Sequence, residues 1–166
     1  MQRKLALHVY DGLVEIGQIS ADRNQRQALV QLDALGERLL HARPWTGMRR
    51  GLFRRVQWST PERGVYLWGG VGRGKTFLMD LFVASLPSGV AKRLHFHRFM
   101  NRVHEQLTAL QGTENPLEVI ADRLAREARV LCFDECFVSD ITDAMVLGTL
   151  FDALFRRGVA LVTTSN

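Results

Sequence analysis

Apolar positions recur along this chain in two rhythms, and the rhythm changes near residue 64. Between residues 21 and 42, Leu29, Leu32, Leu35, Leu39 and Leu40 return at helical spacing, with Asp22 near the start. That spacing predicts a helix. Residues 43–63 lose the pattern and carry Pro44, Gly47, Gly51 and Pro61, the composition of an irregular connection. Beyond it, short apolar runs take turns with longer amphipathic ones. "GVYLWG" (64–69) reads as a strand buried on both faces, and "KTFLMDLFVASL" (75–86) as a helix. "RLHFH" (93–97) alternates and reads as a second strand. "RFMNRVHEQLTAL" (98–110) and "PLEVIADRLAREA" (116–128) read as helices, the latter opened by Pro116. "RVLCFDE" (129–135) is a third strand and "VALVTTSN" (159–166) a fourth. Between them an amphipathic helix is framed by Asp140 at its start and Gly158 just past its end. Strands alternating with helices predict an α/β fold with a parallel, doubly wound sheet, whose ligands bind beyond the carboxyl ends of the strands. Residues 1–60 read as an N-terminal helical and basic extension packed on a core domain of residues 61–166.

The chemistry gathers where strands end. "GGVGRGKT" (69–76) fits G-x-x-x-x-G-K-[ST] through Gly69, Gly74, Lys75 and Thr76, and it joins a predicted strand to a predicted helix. In such a loop the backbone N–H groups of Gly69, Gly70, Val71, Gly72, Arg73 and Gly74 can turn inward on one anion. The helix N-terminus adds partial positive charge at the same place. Lys75 can reach the outer phosphates of ATP, and Thr76 can offer its hydroxyl to Mg²⁺. "VLCFDE" delivers Asp134 and Glu135 to the same edge of the sheet: Asp134 to hold Mg²⁺, Glu135 to orient or deprotonate a water attacking the γ-phosphate. "LVTTSN" brings Asn166 to that edge, where it could contact the γ-phosphate or the water, although Thr-Ser-Asn also suits a plain turn.

Composition narrows the class. Apolar residues make up 46% of the 166 and charged residues 23%, a globular balance. No apolar run is long enough to cross a bilayer, and Asp11 and Glu15 interrupt the start of the chain, which argues against a signal peptide. Cys132 and Cys136, the two cysteines, suggest a reducing compartment, so the expected location is cytoplasmic. They are four apart, but a zinc site would need partners that are not evident, and both read as plain thiols. Net charge is +5. Five arginines and no acid lie in 43–55, which suits either a solvated linker or a patch for an anionic surface such as a membrane; nothing gives a firm nucleic-acid signal. Trp45, Phe53 and Trp58 in the same connection could stack on a base or simply pack. His95 and His97, two apart on a predicted strand, would face one side, as structural residues, a metal pair or, for His97, a neighbour of Glu135.

"LWGGVGRGKT", "HFHRFM", "LCFDECFVSDITDAM" and "LFRRGVALVTTSN" resemble the ZapE-type cell-division ATPases, of the AAA+ class of P-loop ATPases, and "VYDGLVEIGQISADRNQRQA" is similar to that family's opening helices. The resemblance implies a P-loop NTPase sheet of AAA+ type, Lys75 and Thr76 as the Walker-A pair, Asp134 and Glu135 as the Walker-B pair, and Asn166 as the first sensor. It also implies a homo-oligomeric ATPase with a protein client at the division site, the ring protein FtsZ. Cys136 departs from the family's usual aromatic residue. The family's chains continue past the position of Asn166 with a fifth strand, an arginine finger and a helical lid. On that pattern the chain is expected to be a partial core whose 64–68 strand is an exposed, apolar sheet edge, binding ATP and hydrolysing it poorly. Arg156 and Arg157 precede the last strand, at the opposite end of the sheet, and read as complements to a helix C-terminus rather than as a finger. A P-loop kinase is a weaker alternative because Glu135 is placed to recruit water. The base-reading motif of GTPases and the signature of ABC ATPases are absent from the sequence. A non-hydrolysing nucleotide-binding or interaction fragment remains the rival reading.

Overall fold

The computed structural model describes residues 5–41 and 62–166. The expectations placed on the arginine-rich stretch 43–55, with Trp45, Phe53 and Trp58, lie outside the described residues. Two helices come first, α1 (Ala6–Glu15) and α2 (Arg23–His41). Then follow β1 (Val65–Trp68), α3 (Lys75–Ser85), β2 (Ala91–His95), α4 (Phe96–Ala109), α5 (Pro116–Glu127), β3 (Val130–Asp134), α6 (Ile141–Arg156) and β4 (Ala160–Ser165). All strand pairs are parallel, in the order β1-β4-β3-β2. Trp68 is level with Ser165, Phe133 with Thr163, and His95 with Asp134, so the four strands finish on one rim.

Alternation along the central strands splits the core in two. Val130, Cys132, Ala160 and Val162 face α1, α2 and α3 and meet Tyr10, Leu29, Leu32, Leu35, Met79 and Phe82. Leu131, Phe133 and Leu161 face the opposite way, against Phe99, Ile120, Leu124, Leu150 and Leu154 of α4, α5 and α6. Phe133 is held by three rings, with centroids 4.8 Å from Phe99, 5.9 Å from Phe96 and 6.1 Å from Phe151. That packing fixes the strand end from which Asp134 projects. Burial pushes the Cys132 thiol up to about 12, which keeps it protonated and unreactive. Cys136 is half-buried and also shifted upward by burial, and both cysteines are free.

Two expectations need correction. The β1 strand is buried on one face only: Leu67 is buried, while Tyr66 is 61% and Trp68 76% exposed. An edge strand covered by helices on one side leaves its alternate residues in water, and a run of aromatic residues hides that alternation from a hydropathy count. The strand expected over 93–97 instead occupies Ala91–His95, and α4 begins at Phe96 with no connecting residues. Phe96, Phe99, Met100 and Val103 are all buried, and that helical spacing overrides the short alternation. His97 therefore stands in the first turn of a helix, and it does not share a strand face with His95.

Several long-range bonds tie the N-terminal helices down. Asp33, buried in α2, accepts from the backbone N–H of Ala6 at 3.0 Å and of Leu7 at 2.9 Å, capping α1 from a neighbouring helix. Tyr10, buried in α1, accepts from the Asp22 N–H at 2.9 Å. The Asp22 carboxylate in turn accepts from Asn24 N at 2.8 Å and Gln25 N at 3.1 Å, capping the start of α2.

Candidate functional site

The glycine loop leaves β1 at the rim and ends in α3. Gly72 and Gly74 both have φ of 77°, a left-handed conformation that L side chains rarely adopt, so the loop's path depends on glycine there. Gly74 also meets a neighbour: a Cβ on it would lie 2.7 Å from Nε2 of Gln25, whose amide donates to the Arg73 carbonyl at 3.1 Å. α2 thus touches the loop directly. Gly74 is the N-cap of α3 and no side chain caps that helix, so its first N–H groups are left to the loop's concavity. Lys75 lies across the loop, its ammonium donating to Gly69 O at 2.6 Å and Gly70 O at 2.9 Å. Val71 projects into solvent at the loop's tip, and Thr76 is exposed in the first turn of α3.

Asp134 ends β3 with a side chain only 13% exposed, and it is paired. Arg93 of β2 forks onto it, Nε to Oδ2 at 2.7 Å and Nη2 to Oδ1 at 3.2 Å. The remaining Arg93 nitrogen, Nη1, donates to Asp80 of α3. Asp80 follows Thr76 by four residues, one helical turn, so both lie on one face of α3. The Arg93 bridge thus links that face of α3 to Asp134.

Glu135 is exposed and has φ of 53°, one of two non-glycine residues with positive φ among those described. Buried Thr164 of β4 holds it: Glu135 N donates to Thr164 Oγ1 at 3.1 Å, and Cys136 N donates to Thr164 O at 2.9 Å. Asn166 is exposed one residue past β4, on the same rim. His95 is exposed and level with Asp134, and His97 is exposed on α4. Among the described residues, no group of three or more His, Cys, Asp or Glu side chains is placed to hold a metal ion.

Sequence reasoning missed Arg93, Asp80, Thr164 and Gln25. Thr164 lay inside a stretch already singled out for polar groups delivered to the rim. The other three act across long sequence separations and carried no local signal. Beside the loop, between the start of α2 and β1, lies a cavity of about 580 Å³ lined by Gln25, Ala28, Tyr66, Trp68, Gly70 and Lys75 among others. Its size and its mixture of apolar walls with a few polar groups suit a small organic ligand. The donor set at the rim, a hydroxyl at Thr76 and a carboxylate at Asp134, is hard oxygen, the chemistry of Mg²⁺. No helix among the described residues is long and apolar enough to cross a membrane.

The family profile of AFG1-like ATPases matches residues 7–166. The cell division protein ZapE of Escherichia coli K12 is 55% identical over 159 residues, covering 90% of this chain and 42% of that protein. Lactation elevated protein 1 homolog B of Danio rerio is 32% identical over 212 residues, covering 98% of this chain and 42% of that protein. The chain thus spans about two fifths of the length of these relatives. Among solved structures, AMPPCP-bound DnaA from Aquifex aeolicus aligns with a TM-score of 0.55 at 16% identity, over 90% of this chain and 40% of that one. At that identity the likeness speaks for the fold alone, a P-loop sheet of AAA+ type.

Proposed function

Because the chain belongs to the AFG1-like ATPase family, we propose that it binds ATP with Mg²⁺ in the loop 69–76 and, in a chain of its relatives' length, hydrolyses it to act on a protein client. The observation that carries this reading is that one guanidinium, Arg93, reaches both Asp134 and Asp80 on the Thr76 face of the loop helix, so that face lies near Asp134 on the rim where the loop lies. The phosphates fit the concavity lined by the N–H groups of the loop and of the first turn of α3. Lys75 would exchange its two carbonyl partners for phosphate oxygens, a charge-assisted and hence stronger pairing. The base would lodge in the adjoining cavity, against Trp68 and Gln25.

Thr76 and Asp134 would hold the Mg²⁺. The ion supplies neutralisation of the charge that builds on the phosphates. Glu135, exposed on the rim, is the group placed to orient a water and take its proton. Asn166 would steady that water or the γ-phosphate. By likeness to the Escherichia coli relative, whose name is a cell division protein, the client would be a division protein such as the FtsZ ring, and the working form a homo-oligomer. A cytoplasmic location, with an anionic-surface contact through 43–55, accords with the same reading.

Replacing Lys75 with Met tests the site. Two charge-assisted contacts of about 1.5 kcal/mol each amount to about 3 kcal/mol, so affinity for a fluorescent ATP analogue should fall about 100-fold. Circular dichroism should be unchanged. Equal affinity in Lys75→Met and in the parent chain would remove the loop from the binding site.

A further inference from the structure

We propose that Arg93 is a positioning residue that competes with the metal for Asp134 and withdraws onto Asp80 when the metal arrives. The proposal rests on the reading of Asp134 as the metal-holding acid, and it deepens that reading by giving the site an internal counter-cation.

The geometry argues for exchange rather than a fixed strut. Both carboxylate oxygens of Asp134 are engaged by the guanidinium fork, at 2.7 and 3.2 Å, so a divalent cation meets a carboxylate that is already neutralised. The Asp134 side chain is 13% exposed, too little for water to screen the guanidinium from an incoming ion. Asp80 differs, with a side chain 54% exposed. Water can satisfy it whether or not Arg93 stays, and Arg93 can remain on it alone without leaving a charge unpaired. The two carboxylates flank one guanidinium, and only the better buried one lies at the end of β3, beside Glu135. A nucleotide already in the loop brings the ion in with its phosphates and tips the exchange. An ion without nucleotide faces the guanidinium unaided.

Opposite responses from the two partners test the exchange. The probe is a fluorescent, non-hydrolysable ATP analogue, and the quantity read is the Mg²⁺ concentration that half-saturates the Mg²⁺-dependent part of its binding. Arg93→Gln should lower that concentration about tenfold by removing the competitor. Asp80→Asn, at an exposed helix position, should raise it about threefold by leaving Arg93 with Asp134 alone. A strut of purely structural function would shift thermal stability in both variants and move the Mg²⁺ midpoint in neither. An unchanged midpoint in either variant, or a raised one in Arg93→Gln, overturns the competition while leaving the nucleotide site standing. Binding by the parent chain that is indifferent to Mg²⁺ and to EDTA overturns the reading of Asp134 itself, and the proposal with it.

Discussion

Glu135→Gln should slow ATP turnover about 1,000-fold in a chain extended to the length of its relatives, and leave ATP-analogue binding nearly unchanged. Gln matches Glu in shape but cannot accept a proton from water. The substitution also spares the backbone: φ stays at 53°, and the bonds from Glu135 N and Cys136 N to Thr164 do not involve the side chain. Holding a non-glycine residue in that left-handed conformation costs about 1–2 kcal/mol. A turn that carries such a cost for an exposed carboxylate, beside a strand end locked by aromatic packing, is the arrangement expected where a group must be aimed. Single-turnover hydrolysis of radiolabelled ATP measures the effect. Turnover that survives the change would take the base role away from Glu135.

Arg157→Ala should destabilise the fold by about 3 kcal/mol, the largest stability effect expected of a single charged residue here. Arg157 closes α6 with a side chain only 5% exposed. It pairs with Glu118 at 2.7 Å and Asp122 at 2.7 Å on α5, and donates to the Ala153 carbonyl at 2.8 Å. The expected complement to a helix C-terminus is thus present, and beyond it a bolt between two helices. Removing Arg157 takes from Asp122 its guanidinium partner, leaves Glu118 with Arg156 alone, and opens a void under the N-terminal edge of the sheet. Burial opposes the ionisation of Glu118, but hydrogen bonds from Arg156 and Arg157 together outweigh it and hold the carboxyl below its ordinary value. The unfolded chain therefore takes up that proton first as pH falls. The stabilisation is complete above the ordinary carboxylate range and is lost as pH drops through the lowered folded value. Urea unfolding followed by circular dichroism should show the loss at pH 7, and a smaller difference between parent and variant in acid. A loss below about 1 kcal/mol at pH 7 would mean that water screens the cluster.

The sequence made the parallel sheet, the loop and the strand-end carboxylates legible because each rests on local grammar. Buried runs such as "VLCF" announce central strands, and Asp140 caps its helix where its position implied, accepting from Thr142 N at 2.6 Å. What stayed hidden acts at a distance. Asp134 and Arg93 are 41 residues apart, Asp33 and Ala6 27 apart, and a charge in mid-strand or mid-helix does not declare its partner. β1 misled because Tyr and Trp count as apolar while tolerating water. β2 misled because five alternating residues outweighed a helical pattern that starts inside them, at Phe96.

Trp68 puts an optical gauge beside the loop. Its indole lines the cavity next to Gly69 while 76% exposed, so its emission should lie far to the red in water. A ligand that enters displaces that water and shifts the emission to shorter wavelength without any added dye. The chain has three tryptophans, and exchanging Trp45 and Trp58 for phenylalanine leaves this indole as the single emitter, reporting occupancy in real time.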